Sequence, residues 1–282
     1  MGHLDGKTAL VTGASKGIGY ATARGLARDG AFVLVHARNQ SSGERALEQL
    51  RRDVPDGRFD LVVADVGTLA GTRQLAATVL DRALRLDILV NNVGAMYSDH
   101  ALTPDGIERT FAINHLSIFL LTHLLLGRMR QSTSARIITI ASEAHRGTEI
   151  DFDDPGLART YSAMASLSQS KLANILFTRA LAKRLAGSNV RAYCLHPGHV
   201  RTDFTRDLRG WLKIFVAIIR FRFISPDEGA RTGLYLATAP MPADANGGYF
   251  ENCAPKEPSD YARDDAVAER LWELSTRMVG LA

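Results

Sequence analysis

The chain has 282 residues, a net charge of +4 and 46% hydrophobic residues, which is enough to bury a full core in one domain. Its basic residues are scattered along the chain, so the charge does not indicate a nucleic-acid partner. Cys194 and Cys253 lie far apart, without the spacing of a metal site or a redox motif, which favours reduced thiols in a reducing compartment.

The N-terminal residues lead into the first predicted strand and contain no basic-then-apolar signal region. The longest apolar run that we identify, residues 211–219 with Lys213 inside it, is short of the roughly 20 residues that a membrane-spanning helix needs. We therefore expect a soluble cytoplasmic protein.

Short β-branched runs alternate with longer amphipathic segments from the first strand onward. This alternation is typical of repeated βαβ units and predicts an α/β fold with a largely parallel sheet. The predicted strands cover residues 8–11, 31–36, 59–64, 87–91, 135–141, 190–195 and, near the C-terminus, 248–250.

The predicted helices occupy the segments between these strands. Thr103-Pro104-Asp105 combines a capping residue with a proline in the first turn, so we expect a long helix to begin near residue 105. The predicted helices cover residues 17–29, 43–53, 68–84, 105–129, 163–185, 226–238 and 264–278.

A glycine-rich loop, residues 12–19, follows the first strand and opens the first helix. Its glycines allow a tight turn and a close approach of backbone N–H groups to a pyrophosphate, and the helix N-terminus adds partial positive charge. The strand-loop-helix setting makes this a dinucleotide-binding signature. The loop residues predicted to bind the cofactor are Gly13, Ser15, Lys16, Gly17, Ile18 and Gly19.

The end of the second strand indicates which dinucleotide is bound. An acidic residue there would bond the ribose 2′-hydroxyl, whereas position 37 is alanine and Arg38 follows. Arg38, together with Lys16 in the glycine loop, can pair with a 2′-phosphate. We therefore predict NADPH as the cofactor.

Further motifs follow the later strands and helices in a fixed order. They are Asp65-Val66, Asn91-Asn92-Val93-Gly94, Asn114 within Phe111-Ala112-Ile113-Asn114-His115-Leu116, Ser142, Lys171-Leu172-Ala173-Asn174, and Pro197-Gly198 followed by Thr202. With the glycine loop, these motifs make residues 7–278 resemble a short-chain dehydrogenase/reductase of the retinol-dehydrogenase-like branch.

The resemblance implies a single-domain Rossmann fold over residues 1–282, with a doubly wound parallel sheet of about seven strands. It also implies roles for individual residues. Asp65 and Val66 would contact the adenine, Asn91 and Gly94 would line the cofactor's ribose side, Lys171 would hold the nicotinamide ribose, and Pro197, Gly198 and Thr202 would position the carboxamide.

In this family a tyrosine protonates the substrate while hydride reduces its carbonyl. The resemblance places Ser142 on the carbonyl, Lys171 beside the tyrosine, and Asn114 on a water of the proton relay. The position four residues before Lys171 is Leu167, which cannot donate a proton. General-acid help contributes about 10²- to 10⁴-fold, so its loss slows ketone reduction without altering hydride geometry.

Three hypotheses compete for the proton. In the first, another group supplies it: Tyr161, Tyr97, His145, His199, or a water reached through Ser142. In the second, which we prefer, the substrate carries its own phenol or enol, so that tautomerisation delivers the proton and the chain binds the developing oxyanion. The third makes the chain a nucleotide-binding pseudoenzyme or nonredox catalyst. The second resembles the tyrosine-lacking ketoreductases that tailor aromatic polyketides, such as angucyclinone-type reductases of antibiotic biosynthesis.

Residues 201–225, where the family places its substrate lid, contain a run of Trp, Phe and Ile residues. We expect short helices folded over the pocket and a large apolar aromatic substrate. Attachment to a membrane surface is the competing interpretation, because Arg220 and Arg222 end the run. His115 and His123 lack a carboxylate or cysteine at matching spacing, so we predict no metal. Monomer, dimer and tetramer all stay open.

Overall fold

Buried β-branched runs form the strands of one sheet, because a strand covered on both faces has no polar side to present to water. The computed structural model describes residues 2–200 and 224–281. Its strands are Thr8–Val11 (β1), Phe32–Ala37 (β2), Arg58–Val63 (β3), Ile88–Asn91 (β4), Ala135–Ile140 (β5), Val190–His196 (β6), Tyr249–Glu251 (β7) and Ala254–Pro255 (β8).

Amphipathic segments between the strands form the helices that cover the sheet. Gly17–Arg28 (α1), Gln40–Asp53 (α2), Leu69–Arg82 (α3), Arg109–Phe111 (α4), Ser117–Met129 (α5), Ala163–Arg184 (α6), Pro226–Thr238 (α7), Asp260–Arg263 (α8) and Asp265–Met278 (α9) are α-helical. A π-helix, Ala112–Leu116, joins α4 to α5.

The strand order is β3-β2-β1-β4-β5-β6-β7-β8, with every pair parallel except β7 and β8. The order reverses direction between β1 and β4, which opens a crevice at the carboxyl ends of these strands. The predicted doubly wound Rossmann architecture is confirmed. Within the described residues the sheet has eight strands, because Asn252 and Cys253 adopt positive φ angles of 50° and 62° and turn the chain back into β8.

The predicted start of the long helix at residue 105 is wrong. Thr103 and Ile107 close a tight turn, in which the Thr103 N–H donates to the Ile107 oxygen at 2.7 Å and Gly106 has a positive φ. The helix begins at Arg109, because both carboxylate oxygens of Glu108 accept the first helical N–H groups at 2.8 Å. A proline after threonine suits a turn as well as a helix start, so the local sequence pattern did not separate the two.

Arg109–Met129 is long and apolar enough, by length and composition, to cross a membrane. However, 72% of its most apolar 18-residue window is buried inside the protein, against α3, β4 and α6. This burial is what the core helix of a doubly wound sheet requires.

Two positions of the predicted substrate lid, Ile224 and Ser225, belong to the described part of the chain. Val200 and Ile224 form a parallel bridge, and the Ile224 N–H donates to the His199 oxygen at 2.9 Å. Ser225 caps α7 in a capping box with Glu228. The prediction for residues 201–223 lies outside the described residues.

Candidate active site

The glycine loop forms a turn that favours glycine at three positions. Gly13 and Gly17 have φ angles of 64° and 59°, in the left-handed region. A Cβ on Gly19 would lie 2.5 Å from both the Gly13 carbonyl oxygen and the Asn92 Nδ2 atom. Asn92 braces the turn, because its Nδ2 donates to the Thr12 oxygen at 2.8 Å. The loop is a preformed cradle with the N-terminus of α1 at its base.

His36, near the end of β2, connects the glycine loop to the chain after β3 through its two ring nitrogens. The sequence did not predict this role. The Gly13 N–H donates to His36 Nδ1 at 3.0 Å, and His36 Nε2 lies 3.0 Å from the Ala64 carbonyl oxygen. Since Nδ1 accepts, Nε2 carries the proton in the neutral ring. Burial lowers the pKa of His36, which favours this neutral form.

One cavity of about 1040 Å³ lies at the carboxyl ends of the parallel strands. Its position at the switch point, its size and the glycine cradle fit a dinucleotide. Most of the predicted cofactor residues line it: Gly13, Ser15, Lys16, Gly17, Ile18, Gly19, Arg38, Asp65, Val66, Gly94, Lys171, Pro197 and Gly198.

Cationic side chains line the end of the cavity near β2. Arg38 and Lys16 are both exposed there, and Arg45, on the second turn of α2, adds a third cation. Sequence reasoning missed Arg45, although its position seven residues after Arg38 puts it on a helix that starts beside the strand end. This end of the cavity can hold a phosphate group.

Asn91 does not line the cavity. Its side chain is fully buried on the other side of β4 and donates to the Thr122 hydroxyl at 3.1 Å and the Thr139 hydroxyl at 3.4 Å. Strand alternation explains this placement, because the next residue, Asn92, points to the opposite face and lines the cavity. Thr202 lies outside the described residues.

The opposite end of the cavity is lined by Ser142, Leu167 and Lys171. Leu167 and Lys171 are one helical turn apart on α6, so both reach the same space. Lys171 Nζ donates to the Ile140 oxygen at 3.0 Å, and burial lowers the pKa of Lys171 to about 8. A substrate carbonyl in this space would meet a hydroxyl and an ammonium but no phenol at position 167.

Ser142 follows β5 and is held at both its side chain and its backbone. Its Oγ accepts the Ala144 N–H at 3.2 Å, while His145 Nδ1 lies 2.7 Å from the Ser142 carbonyl oxygen. His145 Nε2 accepts the Ser259 N–H at 3.1 Å. His145 therefore ties the Ser142 backbone to the C-terminal segment and does not line the cavity.

Asn114 sits in the π-helix, fully buried and behind the cavity wall. Its side chain clamps the Ala95 peptide, accepting the N–H at 2.8 Å and donating to the oxygen at 2.9 Å. Its Nδ2 also donates to Ser170 Oγ at 3.0 Å, and the Asn114 carbonyl oxygen accepts from Asn174 Nδ2 at 3.0 Å. Asn114 thus joins the chain after β4 to α6, next to Lys171.

The candidate proton donors are placed differently from one another. Tyr97 lines the cavity, whereas Tyr161, His145 and His199 are not among its described lining residues. The Tyr161 hydroxyl donates to the Tyr97 carbonyl oxygen at 2.9 Å, which fixes Tyr97 and directs the Tyr161 hydroxyl to the backbone. The structure therefore favours Tyr97 within this group.

His196, the last residue of β6, also lines the cavity and was missed by sequence reasoning. Its Nδ1 accepts the Glu143 N–H at 3.4 Å, and its Nε2 lies 3.6 Å from Glu251 Oε1. Burial lowers the pKa of His196 to about 4 in spite of the attraction of Glu251. Both ring nitrogens are directed at protein groups.

Within residues 2–200 and 224–281, no group of three or more His, Cys, Asp or Glu side chains could hold a metal ion. His115 instead packs inside the core, with Nδ1 3.3 Å from Asn174 Oδ1 and Nε2 2.9 Å from the Ser275 hydroxyl. His123 lies 2.9 Å from the Phe119 carbonyl oxygen through its Nδ1.

The sequence profile described as short chain dehydrogenase matches residues 7–213. Retinol dehydrogenase 14 of Mus musculus is 40% identical to the chain, with 99% of this chain and 88% of that protein covered. Retinol dehydrogenase 13 of Homo sapiens is also 40% identical, with 99% of this chain and 86% of that protein covered.

Two solved structures extend the likeness to the fold. A protein of Mycobacterium paratuberculosis superimposes with a TM-score of 0.81 at 33% identity, covering 99% of this chain and 96% of that one. The angucycline C-6 ketoreductase LanV, solved with bound NADP, gives a TM-score of 0.68 at 26% identity, covering 88% and 94%.

Proposed function

Because this chain belongs to the short-chain dehydrogenase/reductase family, we propose that it is an NADPH-dependent ketoreductase for a large apolar aromatic substrate. One observation carries the proposal. A single cavity joins the glycine cradle and the Arg38 cation to a far end lined by Ser142 and Lys171. A dinucleotide site that ends at a hydroxyl and an ammonium is suited to reduce a carbonyl.

When bound, NADPH would supply the hydride for the carbonyl carbon. Backbone N–H groups of the glycine loop would hold the pyrophosphate, and Lys16 and Arg38 would pair with the 2′-phosphate. NADP-bound structures among the neighbours support the choice of the phosphorylated dinucleotide. The remaining cofactor contacts are assigned to Asp65 and Val66 at the adenine, Gly94 and Lys171 at the riboses, and Pro197, Gly198 and Thr202 at the carboxamide.

Ser142 and Lys171 act on the substrate oxygen. The Ser142 hydroxyl donates a hydrogen bond to the carbonyl, and the Lys171 ammonium stabilises the negative charge that develops on it. Asn114 positions Lys171 indirectly, because it fastens α6 to the chain after β4 through Ser170, the residue before Lys171. Leu167 occupies the position of the family's tyrosine, so the proton comes from tautomerisation of the substrate or from a non-standard group.

The substrate side is assigned to residues 201–225, acting as a lid. Val200 lines the cavity and pairs with Ile224, so the chain departs for this segment and returns from it at the cavity rim. An apolar lid suits a polycyclic aromatic ketone, of the kind tailored in antibiotic biosynthesis, in the cytoplasm. Deletion of the segment should abolish substrate binding and spare NADPH binding, whereas co-sedimentation with liposomes would favour membrane attachment.

Deuterium transfer tests the reductase against its alternative, a nucleotide-binding pseudoenzyme or nonredox catalyst. The protein is incubated with NADPH deuterated at C4 and with 8-hydroxy-1-tetralone, an aromatic ketone that carries a neighbouring phenol. Mass spectrometry should find deuterium on the carbinol carbon of the product. NADPH binding without deuterium transfer to any ketone would instead support the pseudoenzyme.

A matched pair of ketones and one substitution test the proton source. If the substrate supplies the proton, 8-hydroxy-1-tetralone should turn over about 10²-fold faster than 1-tetralone, which lacks the phenol. Leu167→Tyr should then change kcat for 8-hydroxy-1-tetralone very little. A large gain in that kcat would count against a substrate-supplied proton. Leu167→Phe controls for the added ring volume.

A retinoid carbonyl is the second candidate substrate, favoured by the 40% identity to retinol dehydrogenases over 99% of the chain. It shares with the aromatic ketone a long apolar body and a conjugated carbonyl. Comparing kcat/KM for all-trans-retinal and 8-hydroxy-1-tetralone separates the two. A clear preference for retinal would remove the aromatic-ketone assignment and keep the reductase.

A further inference from the structure

The titratable side chains that line the cavity lie mostly on or after β1, β2 and β3, whereas Tyr97 follows β4, Lys171 lies on α6 and His196 ends β6. Two described tyrosines line the cavity, and Tyr20 lies on α1 with its hydroxyl donating to Asp53 at 3.0 Å. Tyr97 is the tyrosine of the segment that the described contacts connect to Leu167.

Tyr97 is fastened to the turn of α6 that carries Leu167. The Asn114 side chain clamps the Ala95 peptide, two residues before Tyr97, and donates to Ser170 Oγ at 3.0 Å. Ser170 Oγ in turn donates to the Leu167 carbonyl oxygen at 2.7 Å. Tyr97 and Leu167 line the same cavity from two segments that one buried asparagine holds together.

Tyr161 and Arg109 also hold Tyr97 in place. The Tyr161 hydroxyl donates to the Tyr97 carbonyl oxygen at 2.9 Å. The Arg109 guanidinium carbon lies 3.5 Å from the centroid of the Tyr97 ring, and Arg109 also pairs with Asp99 at 3.4 Å. Arg109 Nε is buried without a hydrogen-bond partner, as expected when the guanidinium packs on a ring face.

The contact with Arg109 holds the Tyr97 ring in place at the cavity. Arg109 is itself paired with Asp99, and its guanidinium packs on the face of the half-buried Tyr97 ring. The cavity is therefore lined by a tyrosine that follows β4 and contacts a cation, whereas α6 presents Leu167. The phenol lies on a different segment of the chain from the family's tyrosine but lines the same cavity.

We propose that Tyr97 is the proton donor of this enzyme, in the place that Leu167 leaves vacant, a role that rests on the proposed ketoreductase function. The reduction takes one hydride onto the carbonyl carbon, which opens the C=O π bond onto oxygen. The Tyr97 O–H bond then breaks, its proton forms the new O–H bond of the alcohol, and the phenolate regains a proton from solvent. NADPH is oxidised and the ketone is reduced, with one solvent proton consumed.

The decisive substrate is 1-tetralone, because this ketone has no phenol and the protein must supply the proton. Tyr97→Phe should lower kcat for 1-tetralone by about 10²-fold or more, while the Kd for NADPH, measured by fluorescence, stays within about twofold. A solvent deuterium isotope effect on kcat should be larger in the variant, because proton transfer becomes rate-limiting. Tyr235→Phe, at a half-buried tyrosine of α7 that does not line the cavity, should leave both constants unchanged.

A second substitution, at Leu167 of α6, distinguishes proton donation by Tyr97 from a purely structural role. In the double variant Tyr97→Phe with Leu167→Tyr, a phenol returns beside Lys171, and kcat should recover to within about tenfold of wild type. If kcat falls in Tyr97→Phe and the second substitution does not restore it, Tyr97 has a structural role and the proposal is overturned. Melting temperatures of all variants, with and without NADPH, show that each is folded.

Other outcomes separate the two proposals. If the wild-type protein reduces 8-hydroxy-1-tetralone but not 1-tetralone, the substrate supplies the proton and only the role of Tyr97 is overturned. If Tyr97→Phe reduces 1-tetralone at the wild-type rate, another protein group or water supplies the proton, and again only the role of Tyr97 is overturned. If the wild-type protein binds NADPH and transfers no deuterium to any ketone, the ketoreductase function fails, and the role of Tyr97 fails with it.

Discussion

At the scale of single residues, the proposed preference for NADPH rests most directly on Arg38. It stands one residue after β2, exposed at the end of the cavity that also contains Lys16 and Arg45. A guanidinium forms strong, directional bonds with a phosphate and gains nothing comparable from a ribose hydroxyl. The positive charge of Arg38 should therefore strengthen the binding of NADPH and leave the binding of NADH nearly unchanged.

Replacing Arg38 by Ala should raise the KM for NADPH roughly 10- to 100-fold, the loss expected for a hydrogen-bonded charge pair, and leave the KM for NADH nearly unchanged. Steady-state kinetics with both cofactors measure the difference. Arg51→Ala, an exposed arginine near the end of α2, serves as the matched control. An equal rise for NADH would show that Arg38 does not read the 2′-phosphate.

At the scale of elements, Glu108 connects the start of one buried helix to the start of another. Its two carboxylate oxygens accept the Thr110 and Phe111 N–H groups, and Oε2 also accepts the Ser166 hydroxyl of α6 at 2.9 Å. The side chain is almost completely buried. One carboxylate thus holds the helix start that leads into the π-helix, which carries Asn114, against the part of α6 that carries Leu167 and Lys171.

Glu108→Ala should lower the free energy of unfolding by roughly 2–4 kcal/mol, because it removes a helix cap and leaves the Ser166 hydroxyl buried without its acceptor. Chemical denaturation measures the loss. Glu44→Ala, on the exposed face of α2, should cost less than about 0.5 kcal/mol. A similar small loss for both variants would mean that the helices meet without the carboxylate.

At the scale of the whole molecule, buried histidines couple folding to pH. His115 is fully buried among Phe111, Phe119 and Phe177, and burial lowers its pKa to about 4 despite the hydrogen bond to Asn174. The unfolded chain binds a proton on this ring near pH 6.5, whereas the folded protein does so only near pH 4. Folding therefore loses stability as the pH falls through this window.

His115 alone should contribute a loss of about 3 kcal/mol in the free energy of unfolding between pH 7 and pH 4. His115→Gln should flatten the dependence of that free energy on pH, measured by denaturation at several pH values. Phe119→Leu disturbs the same cluster without a titratable group and should keep the wild-type slope. Parallel curves for wild type and His115→Gln would contradict the prediction.

The sequence by itself determined the order of the elements and the glycine loop that lines the cavity. Buried strands and amphipathic helices differ in their periodicity, so the βαβ alternation is readable without contacts. The limits of α7 were predicted to the residue, because Ser225, Pro226 and Glu228 form a local start signal. The glycine loop was also readable, because its backbone turn and its neighbouring helix are both encoded within eight consecutive residues.

The tertiary structure alone decided which side chains share the cavity. Asn91 and Asn92 are neighbours in sequence, yet the pleat of β4 sends one into the core and the other to the cavity. The Thr103 turn depends on the positive φ of Gly106, and β8 depends on the positive φ angles of Asn252 and Cys253. The Glu108 carboxylate caps its own helix locally but also accepts the hydroxyl of the distant Ser166, which no local pattern specifies. Tyr97 comes next to the Arg109 guanidinium because the chain folds back through the Thr103 turn.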